Sequence, residues 1–280
     1  MVIIRTREEL YKTLEETSKR PGKLALIPTM GNLHDGHLSL IKLAKQKASK
    51  IITTIFVNPL QFGKNEDFKK YPRTEKMDIE KLKKEQCDIL FIPRNSEDVF
   101  SKLEKIKTFD TGNLGSDLCG KIRPGHFDGV LTVVNRLFEL ISPDIAIFGA
   151  KDYQQQILIK KMANSLHPQI SLHKAPIIRS KNGVALSSRN NYLSEKELDI
   201  AANLFKCLQN SVHSYMKKKE LSEILDNANA FLISKKLIPD YFELRDTELN
   251  HISKDNFEGN KVFLGSVTIN NTRLIDNIEF

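Results

Sequence analysis

The chain has 280 residues, 40% of them hydrophobic, and carries a net charge of +8. That composition suits a soluble protein with a real core, and no apolar run approaches the roughly 20 residues needed to span a bilayer. The positive balance admits nucleic acid or an anionic small molecule as partner. However, the lysines are scattered, as at Lys81 to Glu85 and Lys217 to Lys219, and no aromatic-rich basic motif of the RNA-binding type is present. A solvated surface, with no nucleic-acid and no membrane partner, is the expectation.

The N-terminus, MVIIRTREELYKTLEE, is too charged for a secretory leader, so a cytoplasmic location is expected. Cys87, Cys119 and Cys207 lie far apart and form neither a disulfide framework nor a CxxC metal clip. Along the chain, Arg7 to Ser18 reads as an amphipathic helix and Lys23 to Ile27 as a buried strand. Gly36 to Lys50 reads as a helix, Ile51 to Val57 as a strand, Thr74 to Gln86 as a helix and Asp88 to Ile92 as a strand. Helical spacing from Gly129 to Ile141 precedes a strand at Asp144 to Phe148, a helix at Tyr153 to Ser165 and a strand at Ile170 to Ile178. Such alternation predicts a mainly parallel, Rossmann-like sheet with helices on both faces. Its ligands should lie beyond the carboxyl ends of the strands. After Ile178 the pattern changes to two helices, Glu195 to Lys218 and Leu221 to Lys235. Short strands follow at Tyr241 to Arg245, Lys261 to Ile269 and Arg273 to Asp276. Two domains are expected, residues 1–178 and a small α+β domain of residues 179–280.

The segment PTMGNLHDGHLSLIKLAK holds His34 and His37, with Gly31 and Gly36 beside them, where a strand passes into a helix. A helix N-terminus attracts phosphate. Residues three apart share one side of the first turn, so both imidazoles could donate to charge growing on a phosphate. Zinc is the rival, but no Cys or third His stands at matching spacing. The loop is neither GxxxxGK[ST] nor GxGxxG.

Further polar segments follow other strands. FGAKDYQQQ offers Lys151, Asp152 and Gln155, and FVNPLQFGKNEDFKKYPRT offers Asn58 and Gln61 for a small hydroxylated substrate. KIRPGHFDGV places Arg123 and His126 before a helix. VALSSRNNYLS carries Ser187, Ser188 and Arg189, which suit a triphosphate or, equally, a cap for the helix at Glu195.

PTMGNLHDGH, FVNPLQF, YPRT, RPGHFDGV, FGAKDYQQ and ALSSRNNYLS, in that order, resemble the pantoate–β-alanine ligases, and TRLIDN near the end also fits. The resemblance implies a Rossmann-like domain with a small C-terminal lid domain, usually dimeric. The implied reaction is ATP-dependent joining of pantoate to β-alanine through a pantoyl adenylate, with Mg²⁺ accompanying ATP. By motif, it places ATP against Met30, Gly31, Asn32, Leu33, His34, Asp35, Gly36 and His37, and against Gly149, Ala150, Lys151, Asp152, Ile178, Leu186, Ser187, Ser188 and Arg189. His37 takes the family's proton-donor position, and His34, Lys151 and Arg189 join it as catalytic donors. Gln61 and Gln155 correspond to pantoate-binding residues, Gln61 also lying near β-alanine. Asn58, Tyr71, Arg123 and His126 fall in motifs lining the same cavity. Asp78 and Asp152 are candidate Mg²⁺ ligands. The stretch VFLGSVTINNTRLIDN is more polar than expected at its place. Another HxGH nucleotidyltransferase would share the first motif, but it gives no reason for FVNPLQF or FGAKDYQQ.

Overall fold

Runs such as LALI, IITTI, ILF and IAIF are short and continuously apolar, which suits strands buried on both faces. The computed structural model of the chain describes residues 1–19, 21–64, 66–101, 108–252 and 259–280. Its elements begin with β1 (Val2–Ile4), α1 (Arg7–Ser18), β2 (Leu24–Thr29), α2 (Asp35–Lys45), β3 (Lys50–Ile55), α3 (Glu75–Lys84) and β4 (Ile89–Phe91). They continue with α4 (Gly112–Ser116), α5 (Cys119–Ile122), α6 (His126–Ile141), β5 (Ile145–Gly149), α7 (Tyr153–Leu166) and β6 (Ser171–Ala175). The last are α8 (Glu195–Met216), α9 (Leu221–Ser234), β7 (Ile238–Asp246), β8 (Lys261–Ile269) and β9 (Thr272–Glu279).

The first sheet runs β1-β4-β3-β2-β5-β6, with every pairing parallel. The second runs β7-β8-β9 and is antiparallel. This is the expected α/β class with a small α+β addition. Strand order reverses between β2 and β5, so a crevice opens beyond their carboxyl ends. The residues leaving those ends are Met30 and Ala150.

Contacts divide the chain into two compact units, Met1–Ala150 with Leu158–Pro176, and Lys151–Ile157 with Ile177–Phe280. In the first, Ala25, Ile27, Ile51, Leu90 and Ile145 pack against Leu40, Ile41 and Ala44 of α2 and Leu82 of α3. The alternate strand residues Leu26, Ile52 and Ala146 are equally buried, as the two-residue period of a strand requires of a sheet covered on both faces. In the second unit, Leu204 and Leu208 of α8 and Leu232 of α9 pack on Phe242, Phe263, Val267 and Leu274 of the strands.

Several boundaries differ from the sequence pattern for local reasons. The helix expected to reach Lys50 stops at Lys45. The N–H groups of Ser49 and Lys50 each donate to Lys23 O at 3.1 Å, which starts β3 beside β2. Strand β6 ends at Ala175, not Ile178, because Pro176 has no N–H for a ladder. Helix α6 starts at His126, three residues before the periodic stretch, with Gly125 as its N-cap. β1 has no counterpart in the expectations, since three residues show no period. Cys87, Cys119 and Cys207 are buried, and burial pushes the Cys207 thiol up to about 12. Among the described residues no helix is long and apolar enough to cross a membrane.

One close approach matters for the site. A Cβ on Gly129 of α6 would lie 2.1 Å from Leu60 O. The helix therefore rests directly on the backbone of the 3₁₀ turn Pro59–Gln61. Gly129→Ala should destabilise the protein by about 1–3 kcal/mol through overpacking. An unchanged urea midpoint would show that the turn moves freely.

Candidate active site

Leaving β2, the chain reverses through Gly31 at φ +81° and Asn32 at φ +49°. Both lie in the left-handed region, which glycine adopts freely and asparagine tolerates. Asp78 of α3 holds the turn in that shape. Its Oδ2 accepts from Asn32 N–H at 2.9 Å and its Oδ1 from Leu33 N–H at 2.8 Å. The Thr74 hydroxyl donates to Oδ2 at 3.1 Å, and Lys81 Nζ donates to Leu33 O at 2.5 Å. Asp78 is 1% exposed. A carboxylate enclosed by these donors acts as a clamp on the loop.

His34 is the extended N-cap of α2, and His37 is the third residue of the helix. The His34 N–H donates to His37 Nδ1 at 3.3 Å. In the neutral ring the proton then resides on Nε2. His37 thus presents Nε2–H as a donor, with its ring centroid 4.1 Å from that of His34. Gly149 pairs with Ala175, and Ala150 N–H donates to Ala175 O at 2.8 Å, fixing the chain at the end of β5.

Gln61 is brought to this turn. Its Nε2 donates to Met30 Sδ at 2.9 Å, and its Oε1 accepts from Asn58 Nδ2 at 3.1 Å. The same Nδ2 donates to Gly129 O at 3.0 Å, while Asn58 Oδ1 accepts from Leu60 N–H at 3.2 Å. Behind Gln61 stands a chain of ionic and polar contacts. Arg123 Nη1 meets His126 Nε2 at 2.8 Å, and His126 Nδ1 meets Gln61 O at 2.8 Å. A guanidinium only donates, so Nε2 accepts and Nδ1–H donates to the carbonyl. Glu66 takes Arg123 in a fork at 2.6 and 2.7 Å. Burial pushes the Glu66 carboxyl up, but the hydrogen bonds and charge of Arg123 outweigh it and bring it down to about 2. Arg123 and His126 thus bind Glu66 and the backbone of Gln61. Glu66 is missed by the sequence pattern, since nothing sets it apart among the charges of GKNEDFKK. Tyr71 is buried edge-on against Phe62, with centroids 5.9 Å apart.

In the second unit, Lys151 Nζ pairs with Asp152 Oδ1 at 3.2 Å, and Gln155 lies half-buried in the first turn of α7. Arg179 and Ala185 form an antiparallel bridge, and Leu186 N–H donates to Ile178 O at 2.9 Å. That hairpin feeds the 3₁₀ turn Ser188–Tyr192, where Ser187 Oγ accepts from Arg189 N–H at 3.3 Å. Capping of α8 belongs to Ser194, reciprocally with Glu197, and not to Ser187 or Ser188. The segment VALSSRNNYLS does therefore cap the helix, through its last residue Ser194, while Ser187 and Ser188 take no part in the cap.

A glycine-framed histidine turn at a sheet switch point, with a glutamine on its edge, is the arrangement the motifs imply. The sequence matches the Pantoate-beta-alanine ligase family over residues 2–279. The chain belongs to the pantoate–β-alanine ligase family. It is 43% identical over 280 residues to the pantothenate synthetase of Buchnera aphidicola subsp. Acyrthosiphon pisum (strain 5A), spanning 99% of this chain and 98% of that one. Identity to the pantothenate synthetase of Neisseria meningitidis serogroup B is 41% over 282 residues, spanning 100% and 99%. The crystal structure of pantothenate synthetase from Thermus thermophilus is similar at a TM-score of 0.90 and 33% identity, with 99% of each chain covered. That of the Francisella tularensis pantoate–β-alanine ligase, complexed with βγ-ATP and β-alanine, gives 0.80 and 30%, with 99% and 97% covered. Enzymes of this family are ligases acting on a carboxylate and an amine. Among the described residues no three His, Cys, Asp or Glu side chains converge as a metal cage.

Two outcomes follow for the first unit. Asp78→Ala strands two buried amides, which should cost about 1–3 kcal/mol for each one left without a partner. The Asn32 and Leu33 amides should then exchange hydrogen faster than in the parent, and unchanged exchange would rule out the clamp. Glu66 has its carboxyl depressed from 4.5 to about 2 in the fold. Its contribution to stability is complete above the unfolded value and fades as pH falls through the folded one. Glu66→Gln should therefore lose less of its thermal midpoint than the parent between about pH 5 and pH 2. Parallel curves would contradict the pairing.

Proposed function

We propose that this chain condenses pantoate with β-alanine through a pantoyl adenylate, with His37 as the donor that meets charge growing on the α-phosphate of ATP. The reading is supported above all by one observation. His37 Nδ1 accepts the His34 N–H, which puts the ring proton on Nε2 as a donor at the start of α2. In the first step a carboxylate oxygen of pantoate attacks the α-phosphorus, and the α–β phosphoanhydride bond breaks to release pyrophosphate. A carboxylate is already ionised near pH 7, so this step needs no general base. It needs alignment and donors. In the second step the neutral amine of β-alanine attacks the acyl carbon, loses a proton, and AMP departs.

The other assignments are motif-based. Gln61 and Gln155 hold pantoate, with Gln61 also near β-alanine. Met30–His37, Gly149–Asp152, Ile178 and Leu186–Arg189 take ATP. His34, Lys151 and Arg189 add donors to the phosphates. Asn58, Tyr71, Arg123 and His126 serve the substrate side. Magnesium belongs with the nucleotide, as part of the ATP substrate, since Mg²⁺ keeps water and phosphate ligands readily. A homodimer is what the family resemblance implies, and light scattering tests it; a cytoplasmic location is a separate expectation.

Donors that act in the transition state cost about 10²–10³-fold in rate when removed. His37→Ala should lower kcat by that factor and leave the ATP KM nearly unchanged. An unchanged kcat with a raised KM would assign His37 to binding alone. Gln61→Ala should raise the KM for pantoate, and a parental KM there would remove Gln61 from the substrate site.

A further inference from the structure

The TRLIDN stretch, unexplained by the chemistry above, lies on β9. Successive residues of a strand face opposite sides, and here both neighbours are buried and polar. Asp276 is 4% exposed and Asn277 is 5% exposed. Asp276 takes the Arg179 guanidinium in a fork at 2.5 and 2.9 Å. Arg179 also donates to Gly183 O at 3.1 Å, and its guanidinium carbon lies 3.6 Å from the Phe205 ring centroid. It is thus fixed at the root of the hairpin that carries Ser187 to Arg189. Asn277 Nδ2 donates to Lys151 O at 3.0 Å. β9 is paired with β8 from Thr272 to Glu279, which makes it a firm base.

We infer that Asp276 and Asn277 are positioning residues for the reaction: one dipeptide on β9 fixes the backbone of Lys151 and the root of the Arg189 loop. This rests on the reading that Lys151 and Arg189 are donors to ATP. Two distant segments of the sequence, one with Lys151 and one with Arg189, are tied to adjacent residues of one strand. Their backbones are thereby set to a common reference. A misplacement of about 1 Å at a reacting centre can cost 10²-fold in rate, so such anchoring has a catalytic consequence without substrate contact. It also explains why a C-terminal strand carries more polar residues than its burial would suggest.

The decisive variant is Asn277→Asp. It keeps the shape but replaces the donor with an acceptor, so Lys151 O loses its partner. Asp276→Ala is a poorer probe, since it leaves Arg179 buried without its carboxylate, and a failure to fold would have that cause alone. Asn277→Asp should lower kcat about tenfold with the pantoate KM within about twofold of the parent. In a Lys151→Ala background the same change should add less than about twofold, because coupled residues are not additive. Independent, multiplicative losses would overturn the inference. Lys151→Ala with parental turnover would overturn the donor role of Lys151 itself. Loss of turnover in Lys151→Ala, with parental kcat in Asn277→Asp, would overturn the anchor alone.

Discussion

A single buried carboxylate, Asp78, sets the shape of the turn on which the first unit's site depends. It reaches from α3 to accept two consecutive amides in a segment whose backbone lies in the left-handed region. Without those acceptors the Gly31–Leu33 turn would leave polar groups buried and unmatched. With them, the chain enters α2 at His34, and the His34 N–H falls on His37 Nδ1. The turn that Asp78 holds thus leads directly into the pair of histidines at the start of α2.

The same logic recurs around Gln61. Its side chain reaches Met30, and its carbonyl is held by His126, itself set by Arg123 and Glu66. Gly129 lets α6 approach the turn from the other side. Donor-rich loops on a rigid sheet edge, with no nucleophile–base pair among the motif residues, suit a reaction in which the substrates bring the nucleophiles. The family's condensation has that character, since a carboxylate and an amine do the attacking.

The sheet was legible because buried parallel strands are unbroken apolar runs and the helices between them keep a clear period. The motifs placed His34, His37, Asn58 and Gln61 at strand ends, and the strand order puts Met30 and Ala150 at the switch point. The supports were not legible. Asp78 and Glu66 sit among many acidic residues, and only the fold reveals that Asp78 meets backbone amides 45 and 46 residues away. Nor does any local pattern announce that Lys151–Ile157 belongs with the C-terminal unit, or that Asn277 bonds a carbonyl 126 residues upstream. β1 was too short to show a period, and the end of α2 was hidden because helical composition continues past Lys45.

The most direct measurement is AMP release by the purified protein with magnesium–ATP, pantoate and β-alanine, omitting each acid in turn. The account predicts AMP and pantothenate only when both acids are present, and pyrophosphate with pantoate alone at about one per site. AMP formed without pantoate, or no AMP under any combination, would contradict it.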